Sequence, residues 1–144
     1  MTLVLPLHAA ATLFMTGVIW FVQVVHYPLF AEVGDEGFPA YAAAHSRRTA
    51  WVVVPPMLLE LVTGLLLLAR RPTGVGAGAA WVGMVLLAAI WLSTALLQVP
   101  RHRLLGAGFD IVAWRALVAS NWVRTLAWTA RAGLVLLMLA GSTG

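Results

Sequence analysis

Four apolar stretches, each bounded by polar or turn-forming residues, follow one another along the chain. They cover Leu3–Val25, Thr49–Ala69, Ala79–Val99 and Ser120–Ala140. Because an α-helix rises 1.5 Å per residue, about 20 apolar residues cross a hydrocarbon layer of ~30 Å. The pattern predicts an all-α membrane protein, a four-transmembrane-helix up-down bundle, formed by a single transmembrane domain.

Within each predicted helix the polar residues recur every three or four positions, which places them on one face. A polar face turned towards lipid would cost several kcal/mol per unsatisfied group, so we expect the four faces to meet inside the bundle. Threonine, glutamine, asparagine and tryptophan on such faces also join the helices of inert bundles, whereas ionisable residues favour function. The four faces comprise His8, Thr12, Thr16, Trp20, Gln23 and Tyr27, with His26 beside them; His45, Arg48 or Thr49, Pro56, Glu60 and Thr63; Trp91, Thr94, Gln98 and His102; and Asn121, Arg124, Trp128 and Arg131.

The chain also contains an imperfect internal repeat. The segment 45–51, His-Ser-Arg-Arg-Thr-Ala-Trp, returns as 121–128, Asn-Trp-Val-Arg-Thr-Leu-Ala-Trp. About two dozen residues earlier, Gln-Val-Val-His-Tyr-Pro at 23–28 has a counterpart in Gln-Val-Pro-Arg-His at 98–102. The spacing predicts two parallel helix-loop-helix repeats, about 1–70 and 79–144, related by a pseudo-two-fold axis along the membrane normal. Chance is the alternative, since Arg, Trp and Leu are common at helix ends.

Composition narrows the possible chemistry. The chain is 62% hydrophobic and 10% charged, without cysteine or lysine, so thiol chemistry and Schiff bases are excluded. The net charge of +4 comes from arginines near predicted helix ends, so we expect a lipid bilayer rather than nucleic acid as the partner. Five arginines flank the predicted long loops Leu29–Ser46 and Pro100–Ala119, and two flank the short connection Arg71–Gly78. The positive-inside rule then predicts a multi-pass protein of the bacterial inner membrane with the long loops in the cytoplasm.

Two charged residues, Glu60 and Arg131, lie deep within predicted helices. In superposed repeats they differ in depth by roughly 7 Å, which two long side chains can bridge. One interpretation is a buried charge pair that neutralises itself, with His8 as an alternative partner of Glu60. The other is that Glu60 accepts a proton during function.

Three histidines, His26, His45 and His102, fall at helix ends on the long-loop side. Imidazoles at one level could bind Fe, Cu or Zn, although no His-x-x-x-His spacing occurs. Interfacial histidines that simply meet water or lipid headgroups are the alternative. A b-type haem ligated by His8 is a further option, but His8 and His26 are about 27 Å apart along one helix and cannot share an iron.

Residues 98–130 carry a family resemblance. Gln98-Val-Pro100, Trp114 and Asn121-Trp-Val-Arg124-Thr125 resemble the anthrone-oxygenase-like family of four-helix membrane proteins. The resemblance implies a four-helix fold and oxidation of a lipophilic aromatic without an obvious cofactor, and it implicates Asn121 and Arg124. His45 departs from the amide residue expected there, which puts the substrate in doubt. The segment 55–65 is also similar, more faintly, to helix 2 of the four-helix (HemJ-type) protoporphyrinogen oxidases.

Together these patterns support a membrane oxidoreductase, oxygenase-like, acting on a lipophilic aromatic or quinol-type molecule. A histidine would take a proton, and arginines would stabilise the resulting oxyanion. A small transporter, or a subunit binding a ligand or metal, is the alternative, and a purely structural subunit would have no cavity. The expected site comprises His26, His45, Arg48, Asn121 and Arg124 in catalysis and Trp20, Gln23, Tyr27, Tyr41, Gln98 and Trp128 in substrate binding.

Overall fold

The computed structural model describes residues 3–142 as four long helical segments, each long and apolar enough to cross a membrane. We call them spans 1 to 4. They contain α1 (Val4–Phe21), α2 (Phe38–Ala69), α3 (Ala77–Ser93), α4 (Val99–Gly106) and α5 (Ile111–Ser142). The predicted all-α four-helix bundle is confirmed. The spans are Val4–Glu32, Phe38–Ala69, Ala77–Gly106 and Ile111–Ser142.

Consecutive spans pack against each other, and span 4 packs back against span 1. The short connection lies at the same end as the start of span 1 and the end of span 4, where Leu5, Val75 and Met138 share an apolar cluster. Gly74, with φ of 82°, approaches Gly141 so closely that any Cβ would overlap its carbonyl oxygen. A side chain is therefore excluded at this crossing.

The predicted long loops are mostly helical, which corrects the sequence-based boundaries. Only residues 33–37 and 107–110 lack helical structure at this end. Span 2 begins at Phe38 because Pro39 suits a first helical turn and alanines follow. Span 4 begins at Ile111, where Asp110 accepts a hydrogen bond of 2.6 Å from the backbone N–H of Ala113. Hydropathy missed both extensions because they carry polar residues beyond the apolar stretch.

Spans 1 and 3 each contain a π-helical turn at the same place relative to a proline. The turns are Val22–His26 and Thr94–Gln98, and each ends two residues before Pro28 or Pro100. A proline ring clashes with the carbonyl four residues earlier, and a wider turn moves that carbonyl aside. The two prolines therefore occupy equivalent positions in the two spans. An alignment of the spans on Pro28 and Pro100 is shifted by three residues from the alignment that pairs Gln23 with Gln98.

The outward surface is apolar and the polar side chains point inward. Leucine, valine and tryptophan cover the outside, including Leu137 at 72% exposure and Trp51 at 78%. Such a surface suits lipid and would be unstable in water. Twelve polar or charged residues of the described part of the chain are buried, and seven of them belong to the two clusters described below.

Candidate functional site

The first polar cluster lies in the half of the bundle nearer the short connection. We call it the ion-pair cluster: His8, Thr12, Glu60, Thr63 and Arg131. Nη2 of Arg131 lies 3.0 Å from Oε1 of Glu60, and both residues are at most 2% exposed. The predicted buried charge pair is therefore confirmed.

Neighbouring residues form hydrogen bonds with most of the polar atoms of this pair. Thr12 donates to Oε1 of Glu60 at 2.8 Å, and the indole N–H of Trp128 donates to Oε2 at 3.1 Å. Arg131 also donates to the carbonyl of Gly83, while its Nε alone has no partner. Since two buried charges in low dielectric are costly unless fully hydrogen-bonded, this arrangement mainly offsets its own burial.

His8 completes the ion-pair cluster as a neutral acceptor. Its Nε2 lies 3.3 Å from Nη2 of Arg131, and Nδ1 lies 2.8 Å from the hydroxyl of Thr63. Because Arg131 can only donate, Nε2 must accept and Nδ1 carries the proton. Both nitrogens of His8 are thus engaged in protein contacts, and neither is directed at a haem iron.

The second cluster lies nearer the opposite end of the bundle. We call it the histidine cluster: His26, Tyr27, His45, His102 and Arg124. It is built by all four spans: His26 is the last residue of the π turn in span 1, and His102 lies four residues after the π turn in span 3. The imidazoles of His45 and His102 stack with centroids 5.3 Å apart, and those of His26 and His45 lie 4.6 Å apart. The three histidines predicted to share one level therefore do gather.

Amide groups hold Arg124 in position. Its Nε donates to Oδ1 of Asn121 at 2.9 Å, and Asn121 in turn donates to Oε1 of Gln23 at 2.8 Å. Gln23 in turn donates a hydrogen bond of 3.2 Å to the carbonyl of Val118. The motif Asn-x-x-Arg therefore works within one helical turn, with the amide orienting the guanidinium.

Arg124 also contacts the hydroxyl that links it to His102. Its Nη2 donates to the Tyr27 hydroxyl at 3.3 Å, and that hydroxyl shares a hydrogen bond of 2.9 Å with Nε2 of His102. Its Nη1 has only a long contact of 3.4 Å to Thr94. Among the described residues, no carboxylate lies within ion-pair distance of Arg124, although the side chain is only 8% exposed. A buried positive charge with donor capacity to spare favours an anionic partner.

His45 connects the cluster to its outer edge. Its Nδ1 shares a hydrogen bond of 2.7 Å with Nε2 of His26 and lies 3.1 Å from the Thr49 hydroxyl. Its Nε2 makes no hydrogen bond with any described residue. His26 is half-buried and stacks on the exposed ring of Phe21, so a proton on His45 has a route towards the surface.

A cavity of about 480 Å³ adjoins the histidine cluster. This is within the usual range for small-molecule sites. Its walls come from all four spans, and no acidic side chain of the described residues contributes to them. The polar lining comprises Tyr27, His45, Ser46, Thr49, Thr94, Gln98, His102, Arg103 and Arg124; the apolar lining includes Met15, Ile19, Val53, Met57 and Trp128.

Two residues predicted for the site point away from it. Arg48 is exposed and absent from the cavity wall, because the helical turn that directs His45 and Thr49 inward directs its neighbour outward. Trp20 is 39% exposed and donates to Thr129 at 3.0 Å along the seam between spans 1 and 4. Arg48, predicted for catalysis, and Trp20, predicted for substrate binding, therefore both lie outside the cavity wall. Tyr41 stacks on His45 at 6.4 Å, outside the wall.

The three histidines do not form a metal-ligand set. Among residues 3–142, no group of three or more His, Asp or Glu is arranged to hold an ion. Two nitrogens bound to one zinc would lie roughly 3.3 Å apart, each about 2.0–2.1 Å from the metal. The His26–His45 separation of 2.7 Å is instead a hydrogen bond, and His102 is occupied by Tyr27. The predicted metal site has no support in this geometry.

Sequence patterns missed the apolar part of the cavity and its rim. Met15, Val53 and Met57 looked like ordinary lipid or core residues, because apolar periodicity does not separate a cavity wall from a core. Ser46 and Ala50 carried a usable signal: two small residues four apart leave a groove along one helix face. Arg103 was counted only for orientation, yet it lies at the rim.

The chain matches no protein-family model, no curated protein and no solved structure. The resemblance to the anthrone-oxygenase-like family therefore stays a prediction.

Proposed function

We propose that this protein is an integral membrane oxidoreductase, oxygenase-like, that acts on a lipophilic aromatic molecule with a weakly acidic oxygen. The single observation that carries the proposal is Arg124. It is a buried guanidinium without a carboxylate partner among the described residues, held by Asn121 and Tyr27 at the wall of a cavity that no described acidic side chain lines. The finer location, an inner membrane with this end in the cytoplasm, is part of the same proposal.

Arg124 would bind the oxygen that becomes negative. Aromatic ketones with an adjacent methylene, and their phenolic enol forms, acquire an oxyanion when they lose a proton. Preorganised donors in a dry cavity stabilise such a charge more effectively than water does, since they need no reorganisation. The network of Asn121 and Gln23 keeps the guanidinium fixed whether or not the charge is present.

His45 would remove the proton. In the tautomer with the proton on Nδ1, which donates to His26, the free Nε2 is an acceptor at the cavity wall. Protonation at Nε2 makes His45 an imidazolium, which can pass the Nδ1 proton to Nε2 of His26. A histidine suits this role because its neutral ring has one acceptor nitrogen and one N–H donor, so it can take a proton on Nε2 and release another from Nδ1.

Dioxygen is the oxidant in this proposal. A methylene flanked by aromatic rings loses two hydrogens and gains one oxygen atom, so it becomes a ketone. The second oxygen atom leaves as water with those hydrogens, and four electrons pass from carbon to O₂. Such a reaction starts from the oxyanion, and the protein residues supply its binding and the proton transfer.

The alternative is a non-enzymatic transporter or binding subunit that uses the same cavity. Its supporting observation is that the cavity needs no catalysis to hold an acidic ligand. The two candidates differ in whether a bound ligand changes chemically.

The test uses purified protein in lipid nanodiscs, anthrone as substrate and ¹⁸O₂. We expect an anthraquinone with one labelled oxygen, formed much more slowly by His45→Gln. Arg48→Leu is the matched control, because it removes an arginine three residues away that does not line the cavity. Saturable binding without a labelled product would favour the binding subunit, and equal rates in wild type and His45→Gln would rule out the proposed base.

A further inference from the structure

The cavity is elongated along the bundle, and its chemistry changes from one end to the other. On span 1 it extends from Tyr27 to Met15, and on span 2 from His45 to Met57. Each pair is twelve residues apart, which corresponds to about 18 Å along a helix. The end near Tyr27 and His45 is polar and cationic, whereas the end near Met15 and Met57 is apolar. This gradient parallels that of one lipid leaflet, with its headgroup at the surface and its chains inward.

A lateral opening connects this cavity to the outside between spans 2 and 3. Span 2 contacts α3 towards the short connection and α4 towards the opposite end of the bundle. The π turn Thr94–Gln98 between these two helices packs on span 4 instead. The stacked rings of His45 and His102 close the upper limit, and Gly64 against Met84 closes the lower one. The gap thus lies at membrane depth.

The residues around this gap are small, apolar or cationic. Ser46, Ala50 and Val54 line the cavity from span 2 and are also exposed on the outer surface. Val99 and Arg103 do the same from span 3. Their exposure means that a molecule dissolved in the bilayer can reach the cavity without passing through water.

Span 2 is suited to widening next to the gap. Pro55 and Pro56 lie inside α2, so two consecutive backbone N–H donors are missing from its hydrogen-bond ladder. The carbonyls of the preceding turn lose their partners there, which makes the helix easier to bend. The bend would act on Val53 and Val54, which line the cavity.

From this geometry we infer that the substrate is a two-part amphiphile: an acidic aromatic head attached to a hydrocarbon chain. It enters from the leaflet between spans 2 and 3. The head contacts Arg124, and the chain lies along Met15, Val53 and Met57. Arg103 at the rim and Arg124 within give charge complementarity to an acidic head, since no described acidic residue lines the cavity. The inference rests on the proposed function, because it names the substrate class of that same cavity.

The test is competitive photolabelling in lipid nanodiscs. The probe is a phenol whose decyl chain ends in a diazirine, and the competitors are para-decylphenol, para-ethylphenol and decylbenzene at equal concentrations in the membrane. We expect labels on spans 1 and 2 near Met15 and Met57. Para-decylphenol should compete about tenfold better than either other compound, the equivalent of ~1.4 kcal/mol.

Two matched variants test the opening. Ala50→Trp fills the gap and should reduce labelling about tenfold, the equivalent of ~1.4 kcal/mol. Ala130→Trp, also an exposed alanine but on span 4 and outside the cavity wall, should leave labelling unchanged. Unfolding curves of both variants establish that they are folded. Because the chain contains no cysteine, a second experiment blocks the gap with a bulky lipophilic maleimide attached at Ala50→Cys.

The outcomes separate the two ideas. Equal competition by para-ethylphenol and para-decylphenol, or normal labelling of Ala50→Trp, would overturn the two-part substrate while leaving the acidic head and Arg124 intact. Competition by decylbenzene equal to that by para-decylphenol, with Arg124→Leu labelled like wild type, would overturn the proposed function itself.

Discussion

The ion-pair cluster and the histidine cluster contain similar residues but differ in how the charge of the buried arginine is compensated. Both contain a buried arginine, a hydroxyl and at least one histidine, and both are assembled from more than one span. In the ion-pair cluster the guanidinium of Arg131 meets Glu60, and none of the five cluster residues lines the cavity. In the histidine cluster the guanidinium of Arg124 meets neutral amide and hydroxyl groups and borders a cavity.

The difference separates the stabilising role of one cluster from the binding role proposed for the other. A buried charge that a carboxylate of the same protein neutralises contributes to a unique packing and has little attraction left for a ligand. A buried charge that only neutral groups orient retains its attraction for an anionic ligand. Trp128 joins the two regions, since it donates to Glu60 and also forms the floor of the cavity. The ion-pair cluster thus positions one wall of the cavity.

The largest effect should come from breaking the ion pair. Glu60→Leu leaves Arg131 buried and uncompensated, so we expect a loss of about 3–5 kcal/mol in the free energy of unfolding, measured by equilibrium denaturation in mixed micelles. The double variant Glu60→Leu/Arg131→Met should recover most of this. A Glu60→Leu protein as stable as wild type would contradict the structural role.

A folded Glu60→Gln protein with normal turnover would exclude the open alternative that Glu60 accepts a proton.

Removing the other arginine should reverse the balance between activity and stability. Arg124→Leu should lose about 10²–10³ in turnover, the scale seen when one oxyanion donor is removed. Arg124→Lys should retain part of it, since the charge persists without the bidentate contact to Asn121. Kinetics of product formation measure the effect, with Arg48→Leu as the control. If Arg124→Leu lost stability as severely as Glu60→Leu, the two clusters would not differ as described.

Deleting one hydroxyl from each cluster gives a finer comparison. Thr12→Val removes a donor to a carboxylate and should cost about 1.5–3 kcal/mol of stability without changing ligand affinity. Tyr27→Phe keeps the ring but breaks the link between Arg124 and His102, so it should cost about 1 kcal/mol and weaken binding. Unfolding and labelling experiments on both proteins decide the matter. The reverse pattern would mean that the ligand occupies the ion-pair cluster.

The smallest effect should come from Trp20→Phe. This change removes one hydrogen bond to Thr129 on the outer seam, where exposed substitutions usually alter stability by no more than about 0.5 kcal/mol. Labelling and turnover should stay at wild-type levels. A large drop in turnover would restore Trp20 as the substrate contact that its place in the polar stripe suggested.

Most of the candidate site was predictable from spacing, because three- and four-residue periodicity fixes which side chains share a helix face. All four fully polar positions of the span 4 stripe, Asn121, Arg124, Trp128 and Arg131, are buried as predicted. The errors occur where a face has an edge. Arg48 and Trp20 are exposed although each is three residues from a buried position, His45 or Gln23, and periodicity alone does not tell an edge from a centre.

The sequence by itself determined the four apolar spans, the inward polar faces and the depth of Glu60 and Arg131 within them, because each follows from helical periodicity and from the cost of polar groups in lipid. Only the tertiary structure decided which polar groups meet. It placed Glu60 on Arg131 but left Arg124 without a carboxylate, joined His26 to His45 in a hydrogen bond rather than around a metal, and opened a gap between spans 2 and 3. These outcomes depend on the rotation and separation of whole helices, which π turns at two prolines alter and local sequence patterns do not encode.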